Sequence, residues 1–235
     1  MSEALHIRYR FDLPDGSTKH VDLAFAAADF RLSNPTPAKP PFWTELKFSQ
    51  CANCPLSAEE FPHCPAALQM APAVESLKAL VSFDTVAVTV TQAERTAHAE
   101  TTAQQAMSSV LGLIMATSGC PWTDRLRPMA RFHLPFASEA ETVYRTVCMF
   151  LLARELTGAA GTEGFAPLKD LYENLHVVNR DMSRRLGAAT RTDPARNAMA
   201  LLDSYTTLLP AALESSLEEL KPLFDAWRGA AVSAI

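Results

Sequence analysis

Cysteine is the residue type in this chain whose placement offers chemistry. The stretch "QCANCPLSAEEFPHCP", residues 50 to 65, holds three of the five cysteines, and the other two are Cys120 and Cys148. Cys51 and Cys54 are separated by two residues, a spacing that lets both sulfurs turn toward one ion. Cys64 follows after nine more residues, so a fourth ligand must come from elsewhere. Cys120 is the candidate, because it stands beside a proline in a loop just past a helix end. Four thiolates around zinc make a closed tetrahedral site with no position left for chemistry, which would make the zinc structural. His63 is a substitute ligand, although its adjacency to Cys64 makes joint ligation awkward.

Three cysteines precede proline, at Cys54-Pro55, Cys64-Pro65 and Cys120-Pro121. Proline stiffens such a loop, and a cysteine-proline pair also closes the bacterial ferredoxin pattern, so an iron–sulfur cluster is the alternative to zinc. The ferredoxin spacing itself is absent. A redox pair at Cys51 and Cys54 would follow a strand and open a helix in a βαβ unit, and no such unit is apparent. Cys148 shares a helical face with Tyr144, Leu151 and Leu152 and reads as a small hydrophobe of the core.

The stretch "DRLRPMARFHLPF" places Arg125, Arg127, Arg131 and His133 near Cys120. Guanidinium binds phosphate or carboxylate bidentately, so Arg127, Arg131 and His133 form a candidate anion site. Ion pairs to Asp124, Glu139 or Glu141 that fix an interhelical loop are the competing reading. No serine or acid stands at a spacing that would make His133 part of a triad. "VNRDMSRRL" sets Arg180 and Arg184 four apart, which predicts a solvated helix face. The eight glycines form no phosphate-binding loop and no dinucleotide fingerprint. Whether the chain is an enzyme is left open by these residues.

These groups must be positioned by a mixed set of elements. Leu5, Ile7, Tyr9, Phe11 and Leu13 alternate with polar residues, "PDGS" turns the chain, and Val21, Leu23 and Phe25 resume the alternation, which predicts a hairpin. Val86, Val88 and Val90 predict a further strand that could join it. "NPTPAKPPFW" reads as an extended connector anchored by Phe42 and Trp43, and "CPAALQMAPAVESLKALV" as a helix broken at Pro72. From about residue 98 the period becomes helical, with a capped start in "ERTAHAETT" and an end at Gly119. Ser138 and Glu141 predict a capping box for the next helix, which stops near Gly158. A third helix runs from about Pro167 to Gly187, a fourth from "TDP" to Pro210, and a last one follows Ser215 and Ser216. The expected fold is α+β: an N-terminal β-hairpin or small antiparallel sheet, a cysteine-rich loop and a C-terminal α-helical bundle. The division falls at residues 1–97 and 98–235, packed as one unit.

Composition narrows the setting. At 235 residues and 48% hydrophobic content the chain has material for a substantial core. A net charge of −5 provides no global positive field for nucleic acid. No apolar run reaches spanning length, and no basic segment leads into an apolar one, so the expectation is a cytoplasmic protein with no membrane contact. In a reducing cytosol, clustered cysteines favour ligation over disulfides. An unknown protein partner or a homodimer is expected through the apolar hairpin face or an unpaired helix stripe.

The combination "FSQCANCPL", "CPAAL", "LGLIMATSGCP", "RPMARFHLPF" and "ETVYR" resembles an uncharacterised family of bacterial proteins. The resemblance covers most of the chain from about Phe48 onward. It implies that Cys51, Cys54, Cys64 and Cys120 match cysteines of the family pattern and act together, and it supplies no activity. The reading reached from the sequence is a metal-binding regulatory or interaction module with a structural zinc. An iron–sulfur, redox or ligand-sensing protein with its site near Cys120, Arg127, Arg131 and His133 is the alternative.

Overall fold

The period-two stretches form strands. In the computed structural model, which describes residues 4–159, 164–189 and 194–227, β1 (Leu5–Asp12) and β2 (Thr18–Phe25) pair antiparallel with Tyr9 opposite Val21. Gly16 closes their turn at a φ of +80°, a conformation that costs glycine nothing. β3 (Thr85–Thr91) takes the other edge of β1, and β4 (Thr96–Thr102) pairs with β3, giving the antiparallel order β2-β1-β3-β4. The inner face carries Tyr9, Phe11, Phe25, Val88 and Val90, each fully buried, while Arg8, Arg10 and Asp22 face water.

β4 corrects the helix start expected in residues 94–102. Its half-buried inward positions are Ala97, Ala99 and Thr101, which carry little apolar signal, and its exposed positions are Thr96, His98 and Glu100. The helix begins one residue after the strand ends. Thr102 caps α2 (Ala103–Thr117) by accepting from the Gln105 N–H while Gln105 reaches back to the cap. The boundary expected at residue 97 thus falls inside β4, and one apolar cluster draws on both sides of it, from Val88 to Leu111.

α2 is the central helix: eleven of its fifteen residues are buried, because it has the sheet, α1 (Pro65–Ser76) and α6 (Pro194–Leu220) around it. α1 starts on Pro65 and continues through Pro72 without the expected break. Pro72 is exposed, so the carbonyl that loses its donor lies on the water side, and the buried Ala71, Ala73 and Val74 hold the helix in place. After the short α3 (Arg127–Arg131), α4 (Glu139–Thr157) has the expected Ser138–Glu141 capping box and ends on Gly158 at a φ of +66°. α5 (Ala166–Ala189) and α6 pack on each other, and α6 also covers α2. The stop expected at Pro210 does not occur. Leu209 and Leu213 are buried on either side of it, and α6 absorbs the start of the expected last helix. Helical geometry tightens to 3₁₀ only over Lys221–Trp227, where Pro222 intervenes.

Two apolar clusters result. The larger joins the sheet to α1, α2 and parts of α5 and α6; the smaller gathers Val143, Val147, Leu168, Leu175, Leu209 and Leu213. Trp122 and Leu126 touch both. Cys148 belongs to neither: it is exposed on α4, and its neighbours Tyr144, Leu151 and Leu152 are about half exposed. α4 carries two apolar stripes and buries the one with Val143, Thr146 and Val147, which corrects the placement of Cys148 in the core.

Candidate cysteine site

Each of the four candidate cysteines is placed by a definite element. The Cys54 N–H donates to the Cys51 carbonyl at 3.0 Å, the tight turn that their spacing predicts. Cys64 is the N-cap residue of α1, and its N–H donates to the Thr44 carbonyl at 2.8 Å. Cys120 follows α2 after Gly119, whose φ of +89° reverses the chain. The Cys120 N–H donates to Ser118 Oγ at 3.3 Å, and its carbonyl accepts from the Asp124 N–H at 2.9 Å.

The Cys51–Cys54 turn is clamped from two sides. The Ala52 N–H donates to Asp181 Oδ2 at 2.8 Å, and Asn53 Nδ2 donates to the carbonyl and Oδ1 of Asn174 at 3.1 and 3.0 Å. From the other side, Trp122 Nε1 donates to the Asn53 carbonyl at 2.8 Å, which ties the turn to the segment beside Cys120. All four thiols are free; Cys64 is buried and the other three are half-buried.

The charges of the other three cysteines reach Cys51. Burial pushes the Cys51 thiol up to about 12, and the charges of Cys64, Cys120, Asp181 and Cys54 add to the rise. Burial also raises Cys64, against the opposing pull of Arg185. Residues up to 69 positions apart, Cys51 and Cys120, are therefore within charge range of one another. Among the described residues, no three His, Cys, Asp or Glu side chains already stand as a cage for an ion. Ligation would have to draw the thiols inward. His63 is engaged elsewhere, with Nδ1 at 2.8 Å from Thr44 Oγ1.

Two residues of α5 escaped the sequence reading. Arg185 is 1% exposed, and its guanidinium donates to the carbonyls of Trp43, Glu45 and Leu46 at 2.7, 2.7 and 3.2 Å. Its described partners are all neutral, so this buried cation has no carboxylate of its own and its charge reaches Cys64. Asp181 is also buried; burial raises its carboxyl, but the Ala52 N–H and the guanidinium groups of Arg184 and Arg180 hold it below the usual range on balance. Arg180 and Arg184 are solvated as expected, yet both pair with Asp181. The signal was available: Asp181 and Arg185 fall in step with Val178 and Met182, on the buried side of α5.

The three candidate anion-binding residues have separate partners. Arg127 Nη1 lies 3.5 Å from Asp124 and 3.6 Å from Asp29. Arg131 lies 3.9 Å from Glu94 and over the rings of Phe30 and Phe132. His133 is buried and hydrogen-bonded to the Tyr9 hydroxyl, which also meets Ser109 Oγ at 2.9 Å. Burial, helped by the charge of Arg145, brings His133 down to about 3, so it is neutral at ordinary pH and offers an anion no charge.

An α+β chain with a four-stranded antiparallel sheet and a helical second half is the class of protein that the fold defines. Residues 7–225 match the family described as Domain of unknown function (DUF6901), and the chain belongs to that family. No curated protein and no solved structure matches it. Among the described residues, no helix is long and apolar enough to cross a membrane.

Proposed function

We propose that this protein is a non-enzymatic regulatory or interaction module of the cytoplasm that holds a structural zinc ion through Cys51, Cys54, Cys64 and Cys120. The observation that carries the reading is the pair of bonds that fastens the Cys51–Cys54 turn beside the Cys120 segment and α5, with the charges of Cys64, Cys120 and Cys54 all reaching the Cys51 thiol. Their donor chemistry suits the ion: four soft sulfurs close a tetrahedral site. The charge balance supports it too. Four thiolates with one divalent ion carry a net negative charge, and Arg185 supplies a buried positive charge that lacks a carboxylate partner among the described residues. A metal would supply cross-linking between the connector, the start of α1 and the end of α2, and the Asp181 and Trp122 clamps would hold the Cys51–Cys54 turn in register for it.

The test is elemental analysis and an ultraviolet–visible spectrum on protein purified anaerobically without a metal-affinity tag. The expected result is about one zinc per chain with no visible absorption. Cys120→Ser lowers the content, and Cys148→Ser leaves it unchanged because Cys148 is exposed on α4. Iron with sulfide and a broad visible band would assign the same cysteines to an iron–sulfur cluster. Protein that holds neither metal, even after anaerobic reconstitution, would overturn the reading.

A further inference from the structure

We propose that a cavity between the two apolar clusters binds an apolar carboxylic acid, with its chain against α2 and α6 and its carboxylate on Arg145. The cavity has a volume of about 540 Å³, within the roughly 300–1,000 Å³ of small-molecule sites. None of the four candidate cysteines lines it. Its apolar wall includes Leu113 from α2, Leu175 from α5, and Leu202 and Leu209 from α6. Apolar volume of this size between packed helices forfeits contacts that a ligand would restore.

Arg145 gives the cavity a polar end. The side chain is half-buried on α4, and burial pulls its guanidinium below the usual range. Nη2 donates to the carbonyls of Met129 at 2.8 Å and Phe132 at 3.0 Å, which are neutral acceptors. Among the described residues Nη1 and Nε have no hydrogen-bonded acceptor and no carboxylate lies within ion-pair distance. Glu141, the acid whose charge reaches Arg145, is occupied in the capping box, where it accepts from the Ser138 N–H at 2.7 Å. Glu100 and Glu139 also line the space, but both are exposed. The inner polar groups are neutral: Tyr172 is hydrogen-bonded to Thr146 at 2.8 Å, and His133 to Tyr9. One guanidinium in a mainly apolar space whose inner polar groups are neutral and whose rim carries two exposed carboxylates suits a monoanion with an apolar body rather than a multiply charged phosphate.

Titration calorimetry of the full chain with decanoate and with decan-1-ol, both below their aggregation limits, tests the assignment. Decanoate is expected to bind about 10- to 100-fold more tightly than decan-1-ol, the factor that a charge-assisted hydrogen bond supplies. Arg145→Met should remove that difference and leave the alcohol unaffected. Leu202→Trp, which fills space beside Gly112, should weaken both ligands. Arg145 also holds the Met129 and Phe132 carbonyls; if Arg145→Met does not fold, Arg145→Gln, which keeps an N–H donor without the charge, replaces it and should likewise remove the preference, and a folded variant that still prefers the acid would overturn the assignment to Arg145. Equal affinity for acid and alcohol, no binding of decanoate by the unaltered chain, or full decanoate binding by a folded Leu202→Trp variant would each overturn the proposal.

Discussion

His133 should make this protein lose stability in mild acid, well above the pH at which carboxyl groups titrate. In the unfolded chain its imidazole has its ordinary value near 6.5, and in the folded protein burial brings it to about 3. Between those values the unfolded chain binds a proton that the folded protein refuses, so stability falls as pH falls. The loss works out at about 2 kcal/mol between pH 7.5 and 5, and about 5 kcal/mol across the whole window. The geometry explains the refusal. His133 Nε2 meets the Tyr9 hydroxyl, which burial keeps protonated, and an imidazolium would carry a charge and an N–H donor at both nitrogens inside the core. Urea unfolding followed by circular dichroism at pH 7.5, 6 and 5 measures the slope. His133→Gln keeps an acceptor for Tyr9 without a titrating group, so its stability should be flatter by about 2 kcal/mol over the same range. Keeping to pH 5 and above avoids Asp12, Asp15, Glu141 and Asp181, whose lowered carboxyls give up their own contributions only in stronger acid. Parallel pH profiles for the two proteins would refute the assignment.

The remaining predictions concern α5 and α4. Arg185→Met should cost about 3 kcal/mol in urea unfolding, because three carbonyls lose a shared donor. Arg185→Lys should recover less than half of it, since an ammonium cannot reproduce the fork, and full recovery would show that charge alone matters. Asp181→Asn should speed hydrogen exchange at the Ala52 amide about tenfold or more through loss of a charge-assisted bond, whereas Arg180→Ala and Arg184→Ala, each removing one solvated guanidinium while the other still pairs with the buried Asp181, should cost about 1 kcal/mol. Unchanged exchange at Ala52 in Asp181→Asn would show that the clamp does not hold the turn. Cys148, the exposed thiol, should react first with a thiol reagent in the native protein. Mass mapping that finds Cys64 labelled before it would place the wrong face of α4 in water.

What could be read from the sequence and what could not divide along physical lines. Large alternating side chains such as Tyr9, Phe11, Val88 and Val90 announced the sheet, because a buried face made of large residues has only one register that hides it. β4 was silent because a strand whose inward positions are Ala97, Ala99 and Thr101 hides little surface, and its polar outer residues match a helix start equally well. α4 failed for the opposite reason: a helix apolar on two sides satisfies a 3.6-residue period with either stripe, and only the packed neighbours choose between them. Short-range capping at Ser138 and the turn at Gly119 needed no such neighbours and were legible.

The cysteine neighbourhood lies between these cases. Spacing alone paired Cys51 with Cys54, whereas Cys64 and Cys120 are brought toward them by tertiary contacts: the Thr44 carbonyl holds Cys64, Trp122 ties the turn to the Cys120 segment, and α5 fastens the turn and the connector. The fastening by α5 is carried by polar atoms: one guanidinium on three carbonyls, one carboxylate on an amide, and Asn174 accepting from Asn53. An apolar contact tolerates sliding, whereas an Arg185 displaced by one helical residue would turn a buried charge out of its carbonyl cradle and leave those carbonyls unpaired. Asp181 and Arg185, four residues apart on one side of α5, therefore act as a gauge that sets where the loop sits along the helix. Buried polar residues within an apolar helical stripe are the mark by which such a gauge can be found in a sequence, and here they point to the thiols.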